Sequence, residues 1–278
     1  MSTMRSPILA LSLMFAVLAL GACGDSSEEV VGDGDGGIGP IDFSDADPST
    51  PDAGPNQGCN MTSGPQCNNC VDDDGDTLID GFDPECTGPL DDREDSFATG
   101  IPGDNIDKKK QDCFFDGNSG GGDDKCAYST CCLFPEGTEC PAEFGGPDFD
   151  ESECVVSQEC INNCAPLTPV GCDCFGCCTI CNDVGCFDVA TNPIVSPDCT
   201  ADVADDPTKC APCVKSEQCG GDDCTEFECV LCPGQTEEDL PPECEVPECP
   251  GELTPCASND DCLSDEFCSG GCCIRSIE

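Results

Sequence analysis

The sequence predicts a small disulfide-rich fold: several cystine knuckles with few short β-strands, irregular loops and a flexible N-terminal tether. Three observations predict it. The chain has 33 cysteines, and all but Cys23 fall between Cys59 and Cys273. After residue 22, Leu, Ile, Val and Phe number only 43 in 256 residues, too few for so charged a chain to order itself by apolar burial alone. Finally, 58 Asp and Glu face 9 Lys and Arg, a formal net charge of -49, and a compact form must resist that repulsion. Disulfides, each contributing about 2–4 kcal/mol mainly by restricting the unfolded chain, and divalent cations that neutralise carboxylates are the two agents expected to do so.

Taken in order, residues 1–22 read as a signal peptide, with Arg5 as a basic start and an apolar run from Ile8 to Leu20 that is too short for a permanent span. The run ends in Leu20-Gly21-Ala22-Cys23. This resembles the bacterial lipobox, which implies that Cys23 carries acyl chains, palmitate among them, and that the mature chain is held by lipid at the outer membrane or cell surface. Gly24 stands where an Asp would favour retention at the inner membrane. Two or three acyl chains anchor stably where one does not, each buried methylene contributing about 0.8 kcal/mol. Residues 23–58, rich in Gly, Asp, Ser and Pro, have the composition of a lipidated, disordered acidic tether.

Residues 59–98 are expected to form an acidic calcium-loop module. Carboxylates recur at loop positions one, three, five, nine and twelve, as Asp72, Asp74, Asp76, Asp80 and Asp83. With the Leu78 carbonyl they make an oxygen set of the kind calcium takes, and Ile79 is the apolar residue expected to point inward. Cys70 and Cys86 bracket the loop. The pattern resembles the Asp-Gly-Asp repeats of thrombospondin type 3 and dockerin-like calcium loops. Cys70 to Phe97 is also similar to the acidic, cysteine-bracketed segment of secreted and lipid-anchored proteins in some large-genome Gram-negative bacteria. Thr77 stands where the EF-hand pattern has Gly, and Asp83 replaces a bidentate Glu, so the predicted affinity is weak, roughly 0.1–1 mM. A second stretch, Asp116-Gly117-Asn118 running to Asp123 and Asp124, has Gly120 at its fifth position and reads as a glycine-rich turn.

Beyond a Pro-Gly-Asp connection at 101–107, residues 99–150 form a cysteine-rich module, 151–209 a cysteine-dense module and 210–278 the C-terminal knuckles. Two cysteines five residues apart recur at Cys154/Cys160, Cys213/Cys219 and Cys256/Cys262, a degenerate repeat of small units that bury little alone. The last two resemble the knuckles of dickkopf N-terminal regions, which implies an extracellular recognition or structural module without catalytic residues. The densest patch is Cys172, Cys174, Cys177, Cys178 and Cys181, with Cys186 beyond. In a reducing compartment it would read as a zinc or copper cluster; after export it reads as disulfides, with the adjacent pairs Cys131/Cys132 and Cys177/Cys178 bridging to different partners. Five CxxC spacings, starting at Cys67, Cys174, Cys178, Cys210 and Cys229, lack the strand-helix context of a thioredoxin-type centre. Candidate strands are 153–156, 187–189 and 228–231, and no long amphipathic helix follows the leader.

With no His and no Trp, Ser-His and Cys-His catalysis and His-ligated zinc are excluded. The acidic balance excludes nucleic acid. The expected function is that of a lipid-anchored, disulfide-stabilised envelope or surface protein, not an enzyme, with a structural or recognition role and a weak, structural calcium site. Its partners are the membrane, through lipid, and an extracellular protein or polysaccharide; no small-molecule cofactor is expected. The alternatives are a thiol-based zinc or copper sequestering protein and a cysteine-rich protease inhibitor. A glycosidase would need two carboxyls held apart in a cleft, which so small a core disfavours.

Overall fold

The computed structural model describes residues 64–101, 106–117, 124–221, 224, 229–244 and 246–276. The expected signal peptide, Cys23 and the tether lie outside them. Fifteen disulfides join thirty of the described cysteines. Cys70 is bridged as well, so no described cysteine is a free thiol. Adjacent cysteines diverge as expected: Cys131 pairs with Cys140 and Cys132 with Cys154, while Cys177 pairs with Cys213 and Cys178 with Cys172. None of the five CxxC pairs closes on itself.

Regular structure is sparse. Strands β1 (Lys110–Gln111) and β2 (Tyr128–Ser129) form one short antiparallel pair. β3 (Cys177–Asn182) and β4 (Gly185–Ala190) form the longest hairpin. Its turn is organised by Asn182, whose side-chain oxygen accepts from the amides of Val184 at 3.0 Å and Gly185 at 3.3 Å, the local bonding that suits Asn to turns. β5 (Glu266–Ser269) and β6 (Cys272–Arg275) are joined by Gly270 and Gly271, both at positive φ (54° and 79°), as a two-residue hairpin turn of the primed type requires. Helix α1 (Gln158–Cys164) starts where the Ser157 hydroxyl accepts from the Cys160 amide at 3.0 Å. It stops before Pro166, which cannot donate to the helical ladder. Cys160 and Cys164 lie one turn apart, on one face of the helix. Both are fully buried and tie α1 to Cys126 and Cys113.

The expected strand at 187–189 lies inside β4. The one at 153–156 is replaced by a 3₁₀ turn over Glu151–Cys154, because the Asp150 carboxylate accepts from the Ser152 amide and the Cys132 bridge draws Cys154 in. Of 228–231, Glu228 lies outside the described residues. Cys229, Val230 and Leu231 form no strand, and Val230 and Leu231 are buried in separate small apolar clusters.

The principal core runs from Phe97 to Cys219 around Phe114, Leu133, Phe175, Ile180 and Val189. Tyr128 stacks on Phe175 with ring centroids 4.1 Å apart and planes 6° from parallel, a near-parallel stack closer than the roughly 4.5–7 Å usual for aromatic pairs. Two of the recurrent cysteine pairs share a wiring. Cys154 and Cys160 reach back to Cys132 and Cys126, and Cys213 and Cys219 reach back to Cys177 and Cys174, each an inner bridge nested within an outer one. The third repeat runs forward and interleaves, Cys256 to Cys268 and Cys262 to Cys273.

Sequence-distant stretches meet closely. Phe82 packs with Leu231, Cys256, Cys268 and Cys273, and the Gly270 amide donates to the Gly81 carbonyl at 2.8 Å. A Cβ on Gly81 would stand 1.9 Å from the Cys268 carbonyl oxygen, so only glycine allows this approach.

Candidate calcium site

The acidic loop begins after Cys70 and is folded largely by its own carboxylates. Asp72 accepts from the Gly75 amide at 2.5 Å and the Thr77 amide at 3.2 Å, Asp74 from Asp76 at 3.0 Å, and Asp76 from Leu78 at 2.7 Å. These side-chain to backbone bonds curl the chain so that Asp72, Asp74 and Asp76 each place an oxygen within 4.8 Å of the others. Gly75 and Thr77 both adopt positive φ, 90° and 88°. Thr77 therefore holds the left-handed geometry that the EF-hand pattern gives to Gly, at some steric cost. Loss of hydration raises the affinity of Asp74 and Asp76 for protons, against the pull of the amides they accept from, and the charges of neighbouring aspartates add a smaller push. The concentration of negative charge favours a cation.

The other expected ligands are placed differently. Asp80 is buried, and its carboxylate accepts from the amides of Asn69 at 3.0 Å and Cys70 at 3.2 Å. Asp83 is buried beside Glu85: its Oδ1 accepts from the Glu85 amide at 2.8 Å, while Asp83 Oδ2 and Glu85 Oε2 lack hydrogen-bond partners. Burial drives both groups upward, and their mutual contact favours one proton held between them. The Leu78 carbonyl follows the converging trio along the loop, and Ile79 is half-buried.

One residue outside the twelve-position pattern holds the loop, and a second holds the turn that follows it. Glu94, fully buried, accepts from the amides of Asp73 at 2.5 Å and Asp80 at 3.0 Å, and burial lifts its carboxyl to about 7. Asp91 accepts from the Thr87 amide and hydroxyl and from the Arg93 amide, with burial lifting it to about 6. The run Asp91-Asp92-Arg93-Glu94-Asp95 carried their signal, since acids in a bracketed segment suit amide acceptance as well as solvation. Glu85 is a third such residue: its Oε1 accepts from the Ala201 amide at 2.6 Å, across 116 residues, which no local pattern indicates. The loop is closed by Cys67 with Cys86.

The dense cysteine patch offers no comparable site. Cys172, Cys174, Cys177, Cys178, Cys181 and Cys186 are all in bridges, and a bridged sulfur supplies no thiolate for zinc or copper. No known family, no curated protein and no solved structure matches the chain. The fold and site stand on their own physical chemistry: a disulfide-rich protein of extracellular type.

Proposed function

We propose that this chain is a lipid-anchored envelope or surface protein with a structural or recognition role, stiffened by calcium in its acidic loop. The observation that carries the calcium part is the convergence of Asp72, Asp74 and Asp76 around a turn whose sixth position is left-handed. The donor set suits calcium: hard carboxylate oxygens, with the Leu78 carbonyl next along the chain. Calcium would supply charge neutralisation there and no chemistry. Because Asp80 and Asp83 have other partners, water would fill much of the coordination sphere, in keeping with weak, extracellular-range affinity. The lipid anchor rests on the lipobox resemblance at Leu20 to Cys23. The bridging of every described cysteine supports an oxidising compartment and leaves the thiol-sequestering alternative without donors among the described residues.

Limited proteolysis of the natively exported protein tests the loop. Chelation is expected to open cleavage between Cys59 and Lys110, calcium to restore protection, and Asp74→Asn to abolish the difference. Identical digests with and without chelator would remove calcium from the proposal. Incorporation of labelled palmitate, lost in Cys23→Ser, tests the anchor.

A further inference from the structure

A second acidic centre lies apart from the loop. Asp112, Asp116 and Asp124 are 6%, 5% and 7% exposed, three buried carboxyls in a stretch that also buries Phe114, Phe115 and the bridged Cys113 and Cys126. Asp124 is fixed: its Oδ2 accepts from the Cys113 amide at 3.2 Å, its Oδ1 from the Cys126 amide at 3.0 Å, and its carbonyl from the Asn163 side chain at 3.2 Å. Cys113 and Cys126 are themselves bridged to the two buried cysteines of α1, so this floor is rigid.

Against that floor Asp112 is an orphan. Neither of its carboxyl oxygens has a well-formed hydrogen bond, although both are buried; the Cys113 amide, which bonds Asp124, gives it only slight relief. Its carboxyl faces that of Asp124, and none of the ion pairs among the described residues includes Asp112 or Asp124. Burial, then contact with Asp124, then the charge of Asp116 push the Asp112 carboxyl up to about 7. Oxygens of Asp116 and Asp124 lie within 4.8 Å of one another, the reach of two ligands that each stand about 2.4 Å from a common ion.

We propose that Asp112, Asp116 and Asp124 form a second divalent-cation site, built for calcium and independent of the acidic loop. A buried carboxyl with no partner is costly, and a cation set among three carboxyls satisfies it directly. The donors are oxygen only, since the nearby Cys113 sulfur is bridged. That excludes soft metals and favours calcium, which accepts irregular oxygen sets, over magnesium, which demands near-octahedral geometry. Read along the chain from Asp116, the pattern fails at Gly120. The ligands instead come from both sides of that stretch, with Asp112 preceding it.

The test uses the full chain, exported natively, with Asp72, Asp74 and Asp76 all changed to Asn so that the loop is silent. Equilibrium dialysis against calcium is expected to leave one ion per chain. Adding Asp112→Asn, or separately Asp116→Asn, is expected to weaken that binding at least tenfold, with the near-ultraviolet dichroism of Tyr128 unchanged as proof of folding. If the loop-silent protein retains no calcium at about 10 mM, ten times the weak end of extracellular sites, Asp112 shares a proton with Asp124 instead and the proposal is overturned. Retained calcium that neither substitution weakens overturns it equally. Loss of chelator-sensitive proteolysis bears only on the loop, so the two readings fail separately.

Discussion

Asp173 offers the sharpest test of how the core is held. It is 1% exposed. Its Oδ1 accepts from the amides of Phe175 and Cys177, both at 2.9 Å, and its Oδ2 from the Ser216 amide at 2.8 Å. One carboxylate thus fixes the turn into β3 and the segment between Cys213 and Cys219. Asp173→Ala strands the buried amides of Phe175 and Cys177 and the part-buried amide of Ser216, each buried one costing about 1–3 kcal/mol. Relaxation and entering water return part of this, leaving an expected loss of about 3–5 kcal/mol. Asp173→Asn keeps the Oδ1 bonds but turns an amide donor toward Ser216, for a loss of about 2 kcal/mol.

The pH dependence has a definite sign. Burial, opposed by the amides of Ser216, Cys177 and Phe175 and by the charge of Lys215, pushes Asp173 up to about 6, from 3.8. The folded state therefore holds this proton more tightly than the unfolded chain. The contribution of Asp173 is greatest below about pH 4 and falls as pH rises through about 6, by roughly 3 kcal/mol. Guanidinium unfolding with bridges intact, followed by Tyr128, the only tyrosine, reads both effects at the ring stacked on Phe175. The wild-type advantage over Asp173→Ala should narrow from pH 4 to pH 7. An alanine variant within about 1 kcal/mol of wild type at pH 4, or a difference that does not vary with pH, refutes the reasoning.

Two further perturbations test the scaffold. In the chain-entropy description the intact Cys126–Cys160 bridge shortens the ring closed by Cys113–Cys164 from a separation of 51 residues to about 17, so replacing that pair by alanines should cost about 1 kcal/mol more than replacing Cys172–Cys178, a separation of 6; equal losses in urea unfolding would contradict it. Gly81→Ala forces a Cβ onto the Cys268 carbonyl, so a loss of about 2–3 kcal/mol is expected, with faster amide exchange at Gly270. Unchanged exchange there would show that the Gly81 to Gly270 contact does not hold the hairpin.

The parts of this fold that depend on composition and short spacing were legible in the sequence. Cysteine density against few aliphatics indicates a bridged fold, and the sterics of adjacent cysteines send Cys131 and Cys132 apart. The Asp72, Asp74 and Asp76 spacing brings those three carboxylates together through bonds spanning at most five residues. What depends on distant contacts was not legible. Asp80 and Asp83 fit the loop pattern, yet one is drawn to the amides of Asn69 and Cys70 and the other to Glu85. Glu94 and Glu85 act through chain packing that no local period encodes. Asp112 has no motif of its own, and only the placing of Asp124 by two bridged cysteines gives it meaning. The bridging partners were equally hidden, since spacing repeats at Cys154, Cys213 and Cys256 although the third is wired differently.

That wiring bears on how the protein can be made. A chain oxidised as it emerges from a translocation pore meets its cysteines in order, so Cys113 encounters Cys126, Cys131 and Cys132 long before Cys164 arrives. Cys174 likewise passes Cys177 and Cys178 before Cys219 is within reach. First-come pairing gives the wrong covalent isomer, and the native one is reached only by repeated thiolate attack on bridges already formed. Yield should therefore depend on the reshuffling capacity of the compartment in which the chain is oxidised more than on the oxidant, and a host that oxidises quickly but isomerises slowly should accumulate a ladder of scrambled species with the same mass.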